Sequence, residues 1–155
     1  MEWSRMSGFT LLEMMVVMLL VSGMALYGIH GFRQQRMALQ LEQAGQVLLT
    51  FLQQAQRRAF AENSTGQIEV NAEQRSVRVH NTSRTYVPSS SDITVASQLT
   101  TNAGFYGVRN NALAGHIDLS NSAGTVSVIW SAQGRLRLCA QPQRLLGISS
   151  AAHCR

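Results

Sequence analysis

A long apolar run near the N-terminus constrains the fold of this chain more than any other feature. Residues 9–29 contain only three polar side chains, those of Thr10, Glu13 and Ser22, and no proline. At 1.5 Å per residue, a helix of about 21 residues spans roughly 30 Å, the thickness of the hydrocarbon core of a bilayer. The run therefore predicts a single transmembrane helix over 9–29, closed by positive charge at Arg33.

Glu13 is the unusual residue of this run. A carboxylate inside an apolar helix costs on the order of 2 to 3 kcal/mol or more unless a partner pairs with it. A local explanation is a capping box. Thr10 and Glu13 have the spacing at which a glutamate helps to cap the start of a helix and lies near the positive end of the helix dipole.

The segment from Gly8 to Glu13, followed by the apolar run, resembles the prepilin cleavage and methylation motif. In that family a prepilin peptidase cuts after the glycine and methylates the new N-terminus. The resemblance implies a leader over 1–8, cleavage between Gly8 and Phe9, and N-methylation of Phe9. It also implies that Glu13 neutralises the amine of a neighbouring subunit during assembly. An ammonium and a carboxylate attract strongly in low dielectric, whereas each alone is costly.

Two features leave other interpretations open. Glu2 and Arg5 precede the run while Arg33 and Arg36 follow it, so charge alone does not place the N-terminus in the cytoplasm, and that orientation rests on the resemblance. Small residues ending at Ala25 have the spacing of a signal-peptidase site. An ordinary secretory signal cut after Ala25, or an uncleaved anchor, is therefore the rival to a prepilin leader.

The next segment, 30–62, predicts an amphipathic helix that continues the first and belongs to the head. No proline lies between residues 9 and 62. Only Gly45 weakens this half, by up to about 1 kcal/mol relative to alanine. Apolar residues recur at spacings of three and four, a pattern that predicts packing against the protein's own sheet. This stripe comprises Met37, Leu41, Ala44, Leu48, Phe51, Ala55 and Ala59.

The segment 63–155 is predicted to form the antiparallel β-sheet of the head and a C-terminal loop. A cluster of helix-ending residues at 63–66 comes first, and alternation over 68–70 and 77–79 then predicts a hairpin. The serine- and threonine-rich stretch 86–101 has weak patterning, which predicts a long loop with a short edge strand near residues 93–95.

A second alternating set predicts a three-stranded meander over 117–119, 126–130 and 136–138. An antiparallel sheet with one apolar face must cover that face, and the amphipathic helix is the long element available to do so. The fold class is therefore α+β. A long N-terminal helix, membrane-spanning in its first half, packs on a small antiparallel sheet.

The head carries a second resemblance. The segments 105–110, 114–117 and 134–139 resemble the minor pilins called prepilin peptidase-dependent protein A. More broadly, they are similar to the H-type pseudopilins of type II secretion and to the T-type fimbrial minor pilins. The resemblance implies a pilin-like head and a role as a minor subunit.

The only two cysteines, Cys139 and Cys154, lie close together near the C-terminus. We expect a disulfide, which would contribute roughly 3 kcal/mol for a loop of about 15 residues and requires an oxidising compartment such as the periplasm. The alternatives are two free thiols, or two ligands of a metal site completed by His153.

Composition excludes several classes of chemistry. The net charge of +5 is carried by arginine alone because the chain has no lysine, which removes Schiff-base and P-loop mechanisms. No catalytic motif, metal motif or cofactor motif is present, so we expect no enzyme activity, no metal and no cofactor. His80 and His116 are expected on wet strand faces. Arg135 and Arg137 form a basic face that favours acidic partner subunits over nucleic acid.

Taken with the resemblance, these features predict a minor pilin or pseudopilin that starts or caps a type IV pilus or a type II secretion pseudopilus. The expected partners are the prepilin peptidase, other minor subunits and the inner-membrane assembly platform. The expected location is the bacterial inner membrane, crossed once, with the C-terminal head in the periplasm. The alternatives are a DNA-uptake pseudopilin and a membrane-anchored periplasmic binding module without a filament role.

Overall fold

The computed structural model describes residues 10–80, 82–107, 111–141 and 149–150, with the backbone alone at 25–31, 141, 149 and 150. The chain forms two compact units, Met1–Gln35 and Arg36–Arg155. The elements are α1 (Leu11–Ala61), β1 (Thr65–Asn71), β2 (Ser76–Val79), β3 (Thr85–Tyr86), β4 (Thr94–Tyr106), β5 (Asn111–Asn121), β6 (Gly124–Trp130), β7 (Leu136–Gln141) and β8 (Ser149–Ser150).

The helix α1 ends where the helix-ending cluster predicts. Asn63 adopts a left-handed backbone conformation with φ of 48°, which breaks the helical repeat. The Ser64 N–H then returns to the Ala59 carbonyl oxygen at 2.9 Å. The chain reverses there, and β1 begins at Thr65.

The predicted apolar stripe of α1 faces the sheet, as expected. Leu41, Ala44, Leu48, Ala55 and Ala59 are buried, and they form one core cluster with the inward-facing residues of the strands. Leu52, which the predicted stripe omitted, is also fully buried. The head therefore has the predicted α+β architecture, a helix packed on one face of a largely antiparallel sheet.

Gly45 has a packing role that its helix propensity does not reveal. A Cβ atom at this position would lie 2.7 Å from Cγ1 of Val126 and 3.2 Å from Cδ1 of Leu138. Both contacts are shorter than ordinary van der Waals separations. The missing side chain therefore lets α1 approach β6 and β7 closely.

The strands form one sheet in the order β3-β2-β1-β4-β5-β6-β7-β8. The predicted hairpin is confirmed as β1 and β2, with Ile68 opposite Val79. The predicted meander is confirmed as β5, β6 and β7, with Val128 between Ile117 and Leu138. The pairing of β7 with β8 is parallel.

The prediction for 86–101 was wrong. The short edge strand expected near residues 93–95 is instead the start of β4, a 13-residue strand over 94–106 in the interior of the sheet, and the edge strand is β3 at Thr85–Tyr86. β4 pairs with β1 near its C-terminal end and with β5 over most of its length. A shift in register between Leu99 and Gly104 interrupts the alternation, and this irregularity hid the strand from periodicity.

Three hydrogen bonds from side chains to backbone carbonyl oxygens join α1 to the strands and turns of the sheet. The Tyr86 hydroxyl donates to the Ala44 carbonyl oxygen at 2.9 Å. The amides of Asn121 and Gln56 anchor two turns of the meander, and they donate to the carbonyl oxygens of Met37 at 2.9 Å and of Gly134 at 2.7 Å, respectively.

Candidate functional site

Thr10 caps the start of α1. Its hydroxyl oxygen accepts a hydrogen bond from the Glu13 N–H at 3.3 Å, and its carbonyl oxygen accepts from the Met14 N–H at 3.2 Å. This is the threonine half of a capping box. The other half would be a bond from the Thr10 N–H to the Glu13 carboxylate.

The Glu13 carboxylate is exposed and makes no hydrogen bond or ion pair with any residue that the structure describes. The local explanation for Glu13 is therefore only half realised. The threonine side chain caps the backbone, and the charge of the glutamate stays available to a group outside this helix.

Glu13 lies in an otherwise apolar surface. On a helix, residues three, four and seven positions apart share a face, so Val16, Val17 and Leu20 flank Glu13. Every side chain described from Leu11 to Met24 is exposed. Such a continuous apolar surface is unsuited to water, and its one charge would need compensation in an apolar medium.

The other polar side chain of this stretch is satisfied within the helix. The Ser22 hydroxyl donates to the Met18 carbonyl oxygen at 2.6 Å. Bonding to the preceding turn lets a serine lie in apolar surroundings without an unpaired donor. Glu13 is thus the side chain of this surface that still calls for a partner.

Within the described part of the chain, no helical segment has the length and hydropathy required of a membrane span. The predicted span 9–29 includes residues whose side chains are not described, and it stays a prediction. The predicted cleavage and methylation residues, Gly8 and Phe9, lie outside the described residues.

Cys139 lies on the sheet face opposite α1. It pairs with Ser127 across β6 and β7, while the neighbouring Leu138 packs toward the core. Only 3% of Cys139 is exposed although it is not a member of the core cluster, and no cysteine is free among the described residues. Cys154 lies outside these residues, so the Cys139–Cys154 disulfide stays a prediction.

Two of the four histidines, His80 and His116, each lie beside a carboxylate. His80 Nε2 is 3.1 Å from Glu69, and His116 Nε2 is 3.7 Å from Asp118. The Ser127 hydroxyl bonds to Asp118 at 2.5 Å. Because this hydroxyl bonds to the carboxylate and not to an imidazole, the trio lacks the contact that activates a serine nucleophile. No group of three or more metal-ligating side chains occurs in the described chain.

A basic surface with an aromatic side chain was not predicted from the sequence. The bond from Gln56 to Gly134 brings the turn before Arg135 against the last turns of α1. Phe60 lies one turn beyond Gln56 and is 61% exposed, and Arg57 is exposed beside it. The residue that joins the two parts of this surface is Gln56. A glutamine on the flank of a helix does not show from sequence alone that it bonds to Gly134, 78 residues away.

Comparison with known proteins bears on the N-terminal motif. Residues 3–22 match the family model described as the prokaryotic N-terminal methylation motif. No curated protein and no solved structure matches the chain. The motif implies a membrane-anchored N-terminus, processing by a prepilin peptidase and assembly with other pilins. The match, together with a helix packed on a curled antiparallel sheet, therefore supports a type IV prepilin-like pilin.

Proposed function

We propose that this chain is a minor pilin or pseudopilin. It joins other minor subunits and starts or caps a type IV pilus or a type II secretion pseudopilus. Its peptidase cuts between Gly8 and Phe9 and methylates Phe9. The head is delivered to the periplasm, where Cys139 and Cys154 form a disulfide.

The observation that carries this proposal is the carboxylate of Glu13, which pairs with no described residue and lies on an exposed apolar helix. The N-terminal match at 3–22 supports the same role because it covers this residue. After cleavage the new amine lies about one helical turn from Glu13. A carboxylate and an ammonium from neighbouring subunits would neutralise each other in an apolar filament core, where each alone is costly.

The test separates the charge of Glu13 from its capping role. Glutamine serves the capping box as well as glutamate does but carries no charge. Glu13→Gln should therefore reduce filaments or secreted substrate as severely as Glu13→Ala, in a strain without redundant minor subunits. Glu42→Gln removes a charge from the same helix in the head and should leave assembly unchanged. Normal assembly with Glu13→Gln would contradict the proposal.

A periplasmic binding module without a filament role is the alternative from another class. It predicts that Gly8→Ala and Glu13→Gln leave the function of the protein intact, since neither change touches the head. Assembly counts for these two variants therefore distinguish the classes.

A DNA-uptake pseudopilin is a second candidate, favoured by the exposed Phe60 among arginines. Arg57, Arg135 and Arg137 make no ion pair with any residue that the structure describes. Arginines contact phosphates and exposed aromatic rings stack on unpaired bases. On this account Phe60→Ala weakens the binding of single-stranded DNA.

The measurement for this candidate is fluorescence anisotropy of a labelled oligothymidine at several salt concentrations. Neutralising both Arg135 and Arg137 should lower the salt slope by about 0.7 per lost phosphate contact. Arg78→Gln, on another strand, is the matched control. Equal losses from Arg78→Gln and from Arg135→Gln would indicate unspecific attraction and contradict a defined DNA surface.

A further inference from the structure

A groove runs along one flank of α1, on the side where β3 ends the sheet. It consists of two adjoining depressions of about 490 and 510 Å³ that share Gln43. One wall is the segment 84–91, and the other is a stripe of α1 that is spaced by three and four residues. Between its ends this stripe rises about 21 Å. It comprises Gln40, Gln43, Val47, Thr50 and Gln54.

The lining of the groove is mixed polar and apolar, and it is almost uncharged. Glutamine amides and the hydroxyls of serine and threonine alternate with Val47, Phe51 and Val87. The one charged side chain in the lining is Arg84, which is exposed and makes no hydrogen bond or ion pair within the described chain. An uncharged groove with one free guanidinium suits a ligand that is neutral along its length and carries one carboxylate.

The edge of β3 borders this groove. β3 pairs with β2 on one side and is the last strand of the sheet on the other. In an antiparallel pair, successive residues direct their backbone N–H and C=O groups to opposite sides. One of Thr85 and Tyr86 therefore directs its backbone donor and acceptor to the edge that no described strand covers, and both residues line the groove.

We propose that this groove binds an extended peptide segment of another protein, which lies along the edge of β3. A segment of about six residues at 3.4 Å per residue matches the length of the groove. Edge pairing supplies main-chain hydrogen bonds, and the glutamine amides both donate to and accept from a peptide backbone. Val47 and Val87 contact small apolar side chains of the segment, and Arg84 pairs with a carboxylate near one end.

The aromatic residues of the groove favour a peptide over a sugar chain. The rings of Phe51 and Tyr86 contact each other, with centroids 6.3 Å apart, and only 6% of Tyr86 is exposed. The Tyr86 ring therefore offers no open face for a sugar ring to stack on, and the Phe51 ring is partly buried against it. This inference concerns the head alone and does not depend on the filament role of Glu13.

The test uses short random peptides displayed on phage, selected on the full-length protein in detergent micelles. The blocking variant is Val47→Arg, in which an exposed helix position inside the groove is filled by a long side chain. The matched control is Leu113→Arg, the same kind of change at an exposed apolar position on β5, four strands away from β3 in the sheet. The two original side chains are similarly exposed, at 52% for Val47 and 42% for Leu113.

The selected peptides should be extended sequences with one acidic residue. Synthetic versions should lose at least about tenfold in affinity against Val47→Arg and less than about twofold against Leu113→Arg. Arg84→Glu should weaken the acidic peptides by about tenfold and restore binding when their acid is replaced by lysine.

Three results would overturn the inference. The first is that no peptide is enriched on the wild-type protein over Val47→Arg. The second is that enriched peptides lose equal affinity with Leu113→Arg. The third is that neutral oligosaccharides displace the peptides, which would assign the groove to glycans.

Discussion

The Tyr86 hydroxyl donates a hydrogen bond to the Ala44 carbonyl oxygen at 2.9 Å and so bonds the edge strand β3 to α1. The same ring contacts Phe51. This relationship fixes the position of β3 beside the helix and closes the floor of the groove.

Tyr86→Phe should lower the free energy of unfolding of the head by about 1 kcal/mol at neutral pH. The ring stays buried, while a typical net hydrogen bond of about 0.5–1.5 kcal/mol is lost. Urea denaturation followed by tryptophan fluorescence measures the difference. Tyr106→Phe removes a more exposed hydroxyl that bonds only to Asn102, four residues away, and should cost less.

The wild-type head should also lose stability at alkaline pH through Tyr86. Burial raises the pKa of Tyr86 from its ordinary value of 10.0 to about 12. Since the folded state then holds the proton more tightly than the unfolded state, this contribution is complete below pH 10.0 and is lost as pH rises toward about 12. Tyr86→Phe should show a shallower loss in this window, and an identical pH profile would contradict the expectation.

Gly45→Ala should destabilise the head although alanine is the better helix former. The gain of about 1 kcal/mol in helix propensity is smaller than an overpacking cost of about 1–3 kcal/mol. The added Cβ would press on Val126, which is itself buried and cannot yield. Thr50→Ala, at an exposed position of the same helix, should be neutral or stabilising by the same urea titration.

The two meander anchors should act independently. Gln56→Ala removes one bond between helix and sheet and should cost about 1 kcal/mol. Asn121→Ala should cost more, because it also removes the bond that the Ala123 N–H donates to the Asn121 side chain. The bond from Asn121 to the Met37 carbonyl oxygen holds the turn between β5 and β6, and the bond from Gln56 to the Gly134 carbonyl oxygen holds the turn between β6 and β7. The double variant should therefore lose the sum of the two values within about 0.5 kcal/mol. A clear departure from additivity would show that the two turns are coupled.

Cys139→Ser should destabilise the oxidised head by roughly 3 kcal/mol if the predicted disulfide closes a loop of about 15 residues. Reduction of the wild type should cause a similar loss, and reduction of the variant should cause none. Titration of thiols in the unfolded, unreduced protein should find none. Two titratable thiols per chain would contradict the pairing of Cys139 with Cys154.

The sequence predicted those parts of the fold in which burial repeats regularly. The stripe of α1 and the alternation in β1, β2, β5, β6 and β7 are confirmed because the predicted apolar positions of each element lie on the face that packs into the core. β4 escaped because it holds its place through backbone pairing on both sides, while its residues 96–98 are exposed and its register shifts before Gly104.

The candidate sites also differ in how far the sequence alone reveals them. Glu13 is recognisable from sequence because a carboxylate in an apolar run is anomalous wherever it lies. The groove beside β3 and the Arg57–Phe60 surface are formed by residues that look like ordinary solvent-facing positions. They are brought together by the contacts of Tyr86 with Ala44 and of Gln56 with Gly134, which periodicity does not encode.

The N-terminus of the mature chain tests the central claim most directly. Intact-mass and terminal-peptide mass spectrometry should be applied to protein recovered from cells that contain the prepilin peptidase. The prepilin account predicts a chain that begins at Phe9 and carries one methyl group on its amine. Gly8→Ala should leave the leader attached. A chain that begins at Leu26 or retains Met1 in peptidase-containing cells would contradict the account.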